Sequence, residues 1–403
     1  MSDTIELTAV RPDVGVSYVG TAVRGEAPLI DPGNHPAEHF KSRMSPTRFK
    51  VRQYLSRFTD TQSEKLAEWQ RKHSSPFRDV FFPYTALLGS HMFYVLCLPL
   101  PAWFGYYELT RDLVYILGYS IYVSGFLKDY CCLPRPRAPP VKRVSLSAYT
   151  TKEYGAPSSH SANAAGATLY FLWQISITDS ISLESKIGLS LVIFTYYWTL
   201  VLGRIYCGMH GLLDLISGTL CGAACFIVRM GLKHYFADFK SGEYFWFPFV
   251  SIACGLLLLF KHVRPIDECP CFGDSVAFIG VASGYEIGDW FVQKFFSHRV
   301  CGTIAADGYK VLLRPLVAVP MILIWKSVIS KPLVYTFLIK LLGLHDDRQE
   351  KAQLRSQMKN DKECPLYIGE PSIDIFARYI IYAGIPFMVI VICPMAFSLL
   401  NIL

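Results

Sequence analysis

The sequence has little charge for its length: Asp, Glu, Lys and Arg make up 18% of it, against 52% hydrophobic residues. It contains no Asn-x-Ser/Thr acceptor, no prenylation box and no retention tetrapeptide, so these routes to glycosylation, lipid anchoring or retrieval are not written in it. No basic-then-apolar signal opens the chain, and the first span is expected to do the targeting. An acidic cluster of the kind that holds two metal ions in a phosphatase is also lacking. Cys269-Pro270-Cys271 is the one close cysteine pair outside a probable span. No further Cys or His stands near it at zinc spacing, so it reads as structural or redox-neutral. The other cysteines are scattered through apolar stretches as small hydrophobes. No metal and no cofactor is therefore expected. The net charge of +7 is modest, and its basic residues gather beside the apolar segments. That suits anionic lipid headgroups and argues against a nucleic-acid partner.

Long apolar runs are what the chain does have. Stretches near the ~20 residues that span a bilayer recur at about 81–103, 113–131, 161–177, 186–203, 210–230, 245–262, 274–292, 311–343 (one long helix or two short ones) and 375–399. The expected fold is all-α: a polytopic membrane helical bundle of about nine or ten spans. Residues 1–80 read as an N-terminal polar tail, disordered or loosely packed over 1–40. Between Lys41 and Arg78 lie ten Lys/Arg against three Asp/Glu. Val51, Leu55 and Phe58 recur there at helical spacing, and Thr61-Gln62-Ser63-Glu64 resembles a capping box. Surface-lying amphipathic helices or a solvated linker both fit this pattern. A helical core is expected over 81–235, then further spans over 236–403 with a polar loop at 344–370.

Three polar clusters interrupt the apolar background, and ionisable groups inside a membrane are functional candidates because burying them costs several kcal/mol on roughly any scale. In Gly203–Asp214, His210 and Asp214 are one helical turn apart. The acid can reach back to an imidazole nitrogen, fix its tautomer and stabilise a charged ring. Arg204 precedes His210 by six residues, where a guanidinium could fork onto an anion. In the second cluster, Lys128 and Arg135 are two turns apart before Pro134 and Pro136 end the helix. The third, Tyr154–Asn163, opens an apolar helix. There Ser158 or Ser159 can cap, free N–H groups can bind phosphate, and His160 stands at the mouth able to give a proton. Each cluster alone also has a plain reading: a packed histidine, a basic helix flank, an ordinary Pro-Ser cap. Counting crossings, however, puts all three on one membrane face. Small residues line the helices between them, with Gly218 and Gly222 a close-packing pair. A phosphate site built from Lys128, Arg135, Ser158, His160, Arg204, His210 and Asp214 explains the convergence.

The pattern Lys-x6-Arg-Pro, Pro-Ser-x-His and Arg-x5-His-x3-Asp, carried here by Lys128 to Asp214, resembles the type 2 lipid phosphate phosphatase and haloperoxidase superfamily. Ser159 stands where that family usually has Gly before the histidine, and Gly203 where it usually has Ser before the arginine. Both variants resemble the branch of fungal sphingosine-1-phosphate phosphatases, which also carries extra helices after the core. The resemblance implies His210 as nucleophile forming a phosphohistidine, Asp214 holding its ring, and His160 as general acid and base. It implies phosphate binding by Lys128, Arg135, Ser158, Ser159 and Arg204, without metal. The implied substrate is a phosphorylated sphingoid base, in the endoplasmic reticulum membrane among its lipids. Another lipid phosphate (lysophosphatidic acid, phosphatidic acid, a polyprenyl diphosphate) or a non-catalytic lipid sensor or transporter are the rival expectations. The basic bias of residues 41–78 puts the clusters on the cytosolic side, while the resemblance implies the lumen. Glu286 and Asp289, three apart in a later span, are expected to pair with Arg314 or snorkel rather than line a polar path.

Overall fold

A computed structural model of the chain describes residues 17–18, 31–146, 148–267, 269–296, 308–343 and 371–402. The polar loop expected at 344–370 and most of residues 1–30 of the expected tail lie outside the described residues. Among the described residues the chain is helical almost throughout. One two-residue antiparallel pairing, Ser17–Tyr18 with Val144–Ser145, is its sheet.

Four short helices come first: α1 (Ala37–Lys41), α2 (Pro46–Ser56), α3 (Gln62–His73) and α4 (Pro76–Thr85). Then follow α5 (His91–Cys97), α6 (Pro99–Trp103), the long α7 (Tyr107–Cys131) and the single turn α8 (Ala148–Thr151). Next come α9 (Ser159–Ile177), α10 (Leu183–Tyr206), α11 (Leu212–Tyr235), α12 (Phe247–Lys261) and α13 (Cys271–Phe295). A π-helical turn at Trp325–Ile329 joins α14 (Gly308–Ile324) to α15 (Ser330–Leu342), so the 311–343 stretch is one continuous helix. The helices Pro371–Phe387 and Cys393–Leu399 end the described chain.

Among the described residues, four stretches are long and apolar enough to cross a membrane: Leu183–Tyr206, Leu212–Tyr235, Gly308–Leu341 and Ile375–Leu399. The bent pair Pro76–Gly89 and Phe93–Trp103 makes a fifth if it is one span. Helices stand at the other expected places too. However, α12 has only 15 residues, and α7 and α13 carry Asp112, Glu286 and Asp289 within them. By length and composition alone, four or five spans are marked among the described residues.

The chain divides into two compact units. The first gathers Met1–Phe93, Val123–Val228 and Val263–Phe272; the second gathers Tyr94–Tyr122, Arg229–His262 and Gly273–Leu403.

In the first unit the basic segment is helical; Leu66 and Ala67 of α3 are buried, but several apolar side chains of α2 face outward. Val51, Tyr54 and Phe58 are exposed, whereas Arg52 is buried, its guanidinium stacked 3.7 Å over the Phe40 ring. Ser45 caps α2 and Pro46 takes its first turn, as an N-terminus favours. The capping box expected at Thr61 does not form. Thr61 has ψ 8° and no side-chain cap bond, whereas a cap needs the extended backbone that swings the hydroxyl over the helix start. Residues 31–40 are packed where a loose tail is predicted. Phe40 is fully buried, and Asp267 accepts from Gly33 N and meets His39 Nε2 at 2.7 Å. Cys269 and Cys271 are bonded to each other, in a buried cluster with Phe40, Met44, Cys132 and Tyr154.

Helices α9 and α11 approach until their backbones touch. A methyl group on Gly218 would meet Ser158 O at 2.3 Å, and one on Gly222 would meet Ala162 O at 1.9 Å. The small-residue pair anticipated from spacing is therefore a true contact, and it brings the start of α9 beside Asp214 on α11.

The second unit has its own apolar core around Trp103, Tyr107, Tyr285, Ile322, Ile390 and Phe397. Its carboxylates find partners inside it. Asp112 pairs with Arg229 and Lys233, Asp289 accepts from Tyr107 Oη at 2.6 Å and Gln293 Nε2 at 2.8 Å, and Glu286 accepts from Ser251. The partners shown for Glu286 and Asp289 are thus hydroxyl and amide groups, which reach them from adjacent turns and helices. Arg314, the expected partner, instead donates to the carbonyls of Trp103 and Ile402.

The α9–α11 contact yields a paired test. Gly222→Ala, which forces a methyl into a carbonyl, is expected to cost about 1–3 kcal/mol. Gly231→Ala on the same helix meets nothing within 4 Å and is expected to be neutral or to gain up to about 1 kcal/mol from helix propensity. Thermal unfolding in detergent compares the two.

Candidate active site

The site lies in the first unit, where the end of α7, the start of α9 and the α10–α11 junction meet. Helix α10 ends at Tyr206, and Gly208 takes a left-handed φ of +66° that turns the chain. The turn is closed by Met209 N donating to Arg204 O at 3.0 Å. His210 then stands just before α11, and Asp214 lies in its first turn.

Asp214 holds this junction together. Its Oδ2 accepts from Gly211 N at 3.0 Å and faces His210 Nδ1 at 3.0 Å. Its backbone carbonyl accepts from Ser158 N at 2.8 Å, tying the start of α9 to the start of α11. Because an acceptor faces Nδ1, that nitrogen carries the proton and Nε2 presents its lone pair, an assignment from hydrogen-bond chemistry.

Nε2 points at cations. Arg135 Nη1 lies 3.0 Å from it and also donates to Met209 O at 2.6 Å. Nε of Arg135 donates to Glu153 O at 2.8 Å, and Nη2 lies 3.4 Å from Glu153 Oε2. Lys128 pairs with the same Oε2. Lys128, Arg135, Glu153, Arg204, His210 and Asp214 are all buried. Arg204 Nε has no hydrogen-bond partner among the described residues, although burying such a group unpaired is costly.

The charges set the state of the histidine. Burial first, then the charges of Arg135, Lys128, Arg204 and His160, hold the His210 imidazole well below its ordinary value. Burial and the neighbouring cations thus favour the neutral ring at rest, and Asp214 is placed to balance a charge the ring acquires later. Burial also pulls Arg135 down, to about 10, against the pull of Glu153; it remains charged at neutral pH.

At the start of α9, Ser158 is the cap: its Oγ accepts from Ser161 N at 3.3 Å. Ser159 is the first helical residue and His160 the second, both half-buried at the mouth. The His160 ring lies against Gly89, where a methyl group would come within 2.7 Å of Cδ2. All three polar clusters thus meet in one place. The residue that pattern reading missed is Glu153. Its signal was an acid five residues ahead of the Ser158 cap, in a stretch whose chemistry drew attention to Ser and His instead.

The neutral His210 has a consequence for stability. Its folded pKa is depressed, so below pH 6.5 the unfolded chain binds a proton that the native site does not. Stability is then present at neutral pH and falls as pH drops. His210→Gln is expected to flatten the loss of stability as pH falls below the free-histidine value, read by unfolding in detergent at a series of pH values.

Comparison with known proteins gives the family. The PAP2 superfamily model matches residues 109–238, which bracket it. The chain is 57% identical to a dihydrosphingosine 1-phosphate phosphatase of Saccharomyces cerevisiae over 94% of both chains. It is 32% identical to a dihydrosphingosine 1-phosphate phosphatase of Schizosaccharomyces pombe over 87% of this chain and 90% of that one. It is also 32% identical to the human sphingosine-1-phosphate phosphatase 2, over 53% of this chain and 52% of the other. No solved structure matches. With such identity along nearly its whole length, the chain belongs to the PAP2 superfamily, in its branch of sphingoid base phosphate phosphatases.

Proposed function

We propose that this protein is a metal-independent lipid phosphatase that hydrolyses sphingoid base 1-phosphates (dihydrosphingosine, phytosphingosine or sphingosine 1-phosphate) to the free base and phosphate through a phosphohistidine. The observation that carries the catalytic reading is the placement of His210, with Asp214 Oδ2 3.0 Å from Nδ1 and Arg135 Nη1 3.0 Å from Nε2, in a buried cluster that also holds Lys128 and Arg204. The names of its relatives support the substrate class.

The phosphoryl group enters among Lys128, Arg135 and Arg204, with the free N–H groups at the start of α9 and the Ser158 and Ser159 hydroxyls at its edge. Arg135 Nη1 moves from His210 Nε2 to a phosphate oxygen. Nε2 attacks phosphorus as the bond to the lipid oxygen breaks, and His160 gives that oxygen a proton. Asp214 accepts the Nδ1–H hydrogen bond and balances the charge the ring acquires, while the cations stabilise the equatorial oxygens. His160, now a base, takes a proton from water. The water attacks phosphorus, the P–N bond breaks, and phosphate leaves with His210 neutral again.

We further infer a phosphatase core over 81–235, with 1–80 as a basic surface segment and 236–403 as additional membrane helices. Nine or ten spans are supported by helices at each expected apolar stretch, where α7, α9, α12 and α13 would cross sheltered by their neighbours. Residence in the endoplasmic reticulum membrane, with the site toward the lumen, rests on the family resemblance.

Purified protein is expected to release phosphate from dihydrosphingosine 1-phosphate in EDTA faster than from lysophosphatidic acid, phosphatidic acid or a polyprenyl diphosphate. His210→Ala should abolish release, and His160→Ala should accumulate a phosphoenzyme. Asp214→Asn should lower kcat by about 10³–10⁴-fold with little change in KM, as loss of the orienting acid does in other histidine catalysts. Unchanged turnover in His210→Ala would sink the assignment.

A further inference from the structure

The two cations contributed by the end of α7 and the loop after it do not wait empty for phosphate. Glu153 is buried beside them, and its Oε2 pairs with Lys128 and lies 3.4 Å from Arg135 Nη2. The backbone carbonyl of the same residue accepts from Arg135 Nε. Arg135 is thereby turned so that its remaining nitrogen covers His210 Nε2. A phosphoryl group cannot reach Nε2 until that guanidinium moves, and it cannot bind Lys128 and Arg135 fully while a carboxylate already does. Unpaired, the buried cations would repel one another and lose hydration, so some anion has to be present at rest.

Resting on the active-site reading above, we propose that Glu153 is a positioning residue that acts as an internal stand-in for phosphate. Its carboxylate holds Lys128 and Arg135 in place between turnovers and competes with anions for them. On substrate entry the carboxylate gives up both cations to the phosphoryl oxygens. After hydrolysis it takes them back, and inorganic phosphate, the last product to leave, is displaced rather than retained. The arrangement trades affinity for turnover: a site with three cations and no competing carboxylate would bind its own product tightly. No bond is made or broken by Glu153, and no proton is assigned to it.

The test is product inhibition. In Glu153→Gln the Ki of inorganic phosphate and the KM for dihydrosphingosine 1-phosphate are expected to fall together by about tenfold or more, a gain of about 1.4 kcal/mol in anion affinity. Without phosphate the variant should melt below wild type, and added phosphate should raise its Tm by more than it raises that of wild type. A residue with only a packing role would leave Ki unchanged or raise it. Glu153→Asp, which keeps the charge but shortens its reach, should lie between the two and serves if the amide variant does not fold. Unchanged or raised Ki in the folded variants overturns this inference alone. Failure of phosphate to compete with substrate in wild type overturns the assignment of the cations as the phosphate site, and this inference with it.

Discussion

The hydrogen bond from Ser158 N to the carbonyl of Asp214 is the link on which the site depends. It joins the starts of α9 and α11, and it forms only because the two helices touch along Gly218 and Gly222. A methyl group at either glycine would collide with backbone. Backbone contact at this distance excludes lipid and water and locks the relative height of the helices. His160 and Ser158 are thereby held opposite His210 without any long side chain having to reach across. In a membrane setting, where apolar helices gain little by packing against each other rather than against lipid, such small-residue contact is one of the few ways to specify a unique arrangement.

The second constraint is electrostatic. Three cations and two carboxylates are buried within reach of His210, and the cost of desolvating them is offset by pairing and by hydrogen bonds to carbonyls such as those of Met209 and Glu153. The pairing is incomplete at Arg204, whose Nε has no partner among the described residues. Charge is also in surplus by one positive unit when the histidines are neutral. An anion completes the arrangement. Burial and the same surplus favour the neutral form of His210, whose Nε2 lone pair is the nucleophile in the proposed mechanism. In that mechanism one set of charges both binds the substrate and prepares the attacking atom.

Away from the site, buried polar groups are handled locally. In the second unit, Asp112 is neutralised by Arg229 and Lys233 one turn apart on α11, and Asp289 and Glu286 are satisfied by Tyr107, Gln293 and Ser251. In the first unit, Arg52 is buried against Phe40 while Val51, Tyr54 and Phe58 face out. That reversal of the usual pattern suits helices resting on an apolar surface rather than in water.

By itself the sequence determined the helical class and the helix at each long apolar run, and it singled out the candidate site residues. Polar residues are expensive in apolar helices, so Lys128, Arg135, His160, Arg204, His210 and Asp214 stand out wherever they occur, and their spacing limits which can face one another. Spacing also foretold the Gly218–Gly222 contact, because glycine at every fourth position makes a groove before any partner is known. Other features were decided only by tertiary structure. The role of Glu153 depends on which cations lie across from it, and the neutral state of His210 depends on the sum of charges brought from three separate stretches. Residues 31–40 are ordered by partners such as Asp267, more than two hundred residues away. Composition records what a residue can do, but burial and the sum of neighbouring charges exist only once distant stretches have been folded together.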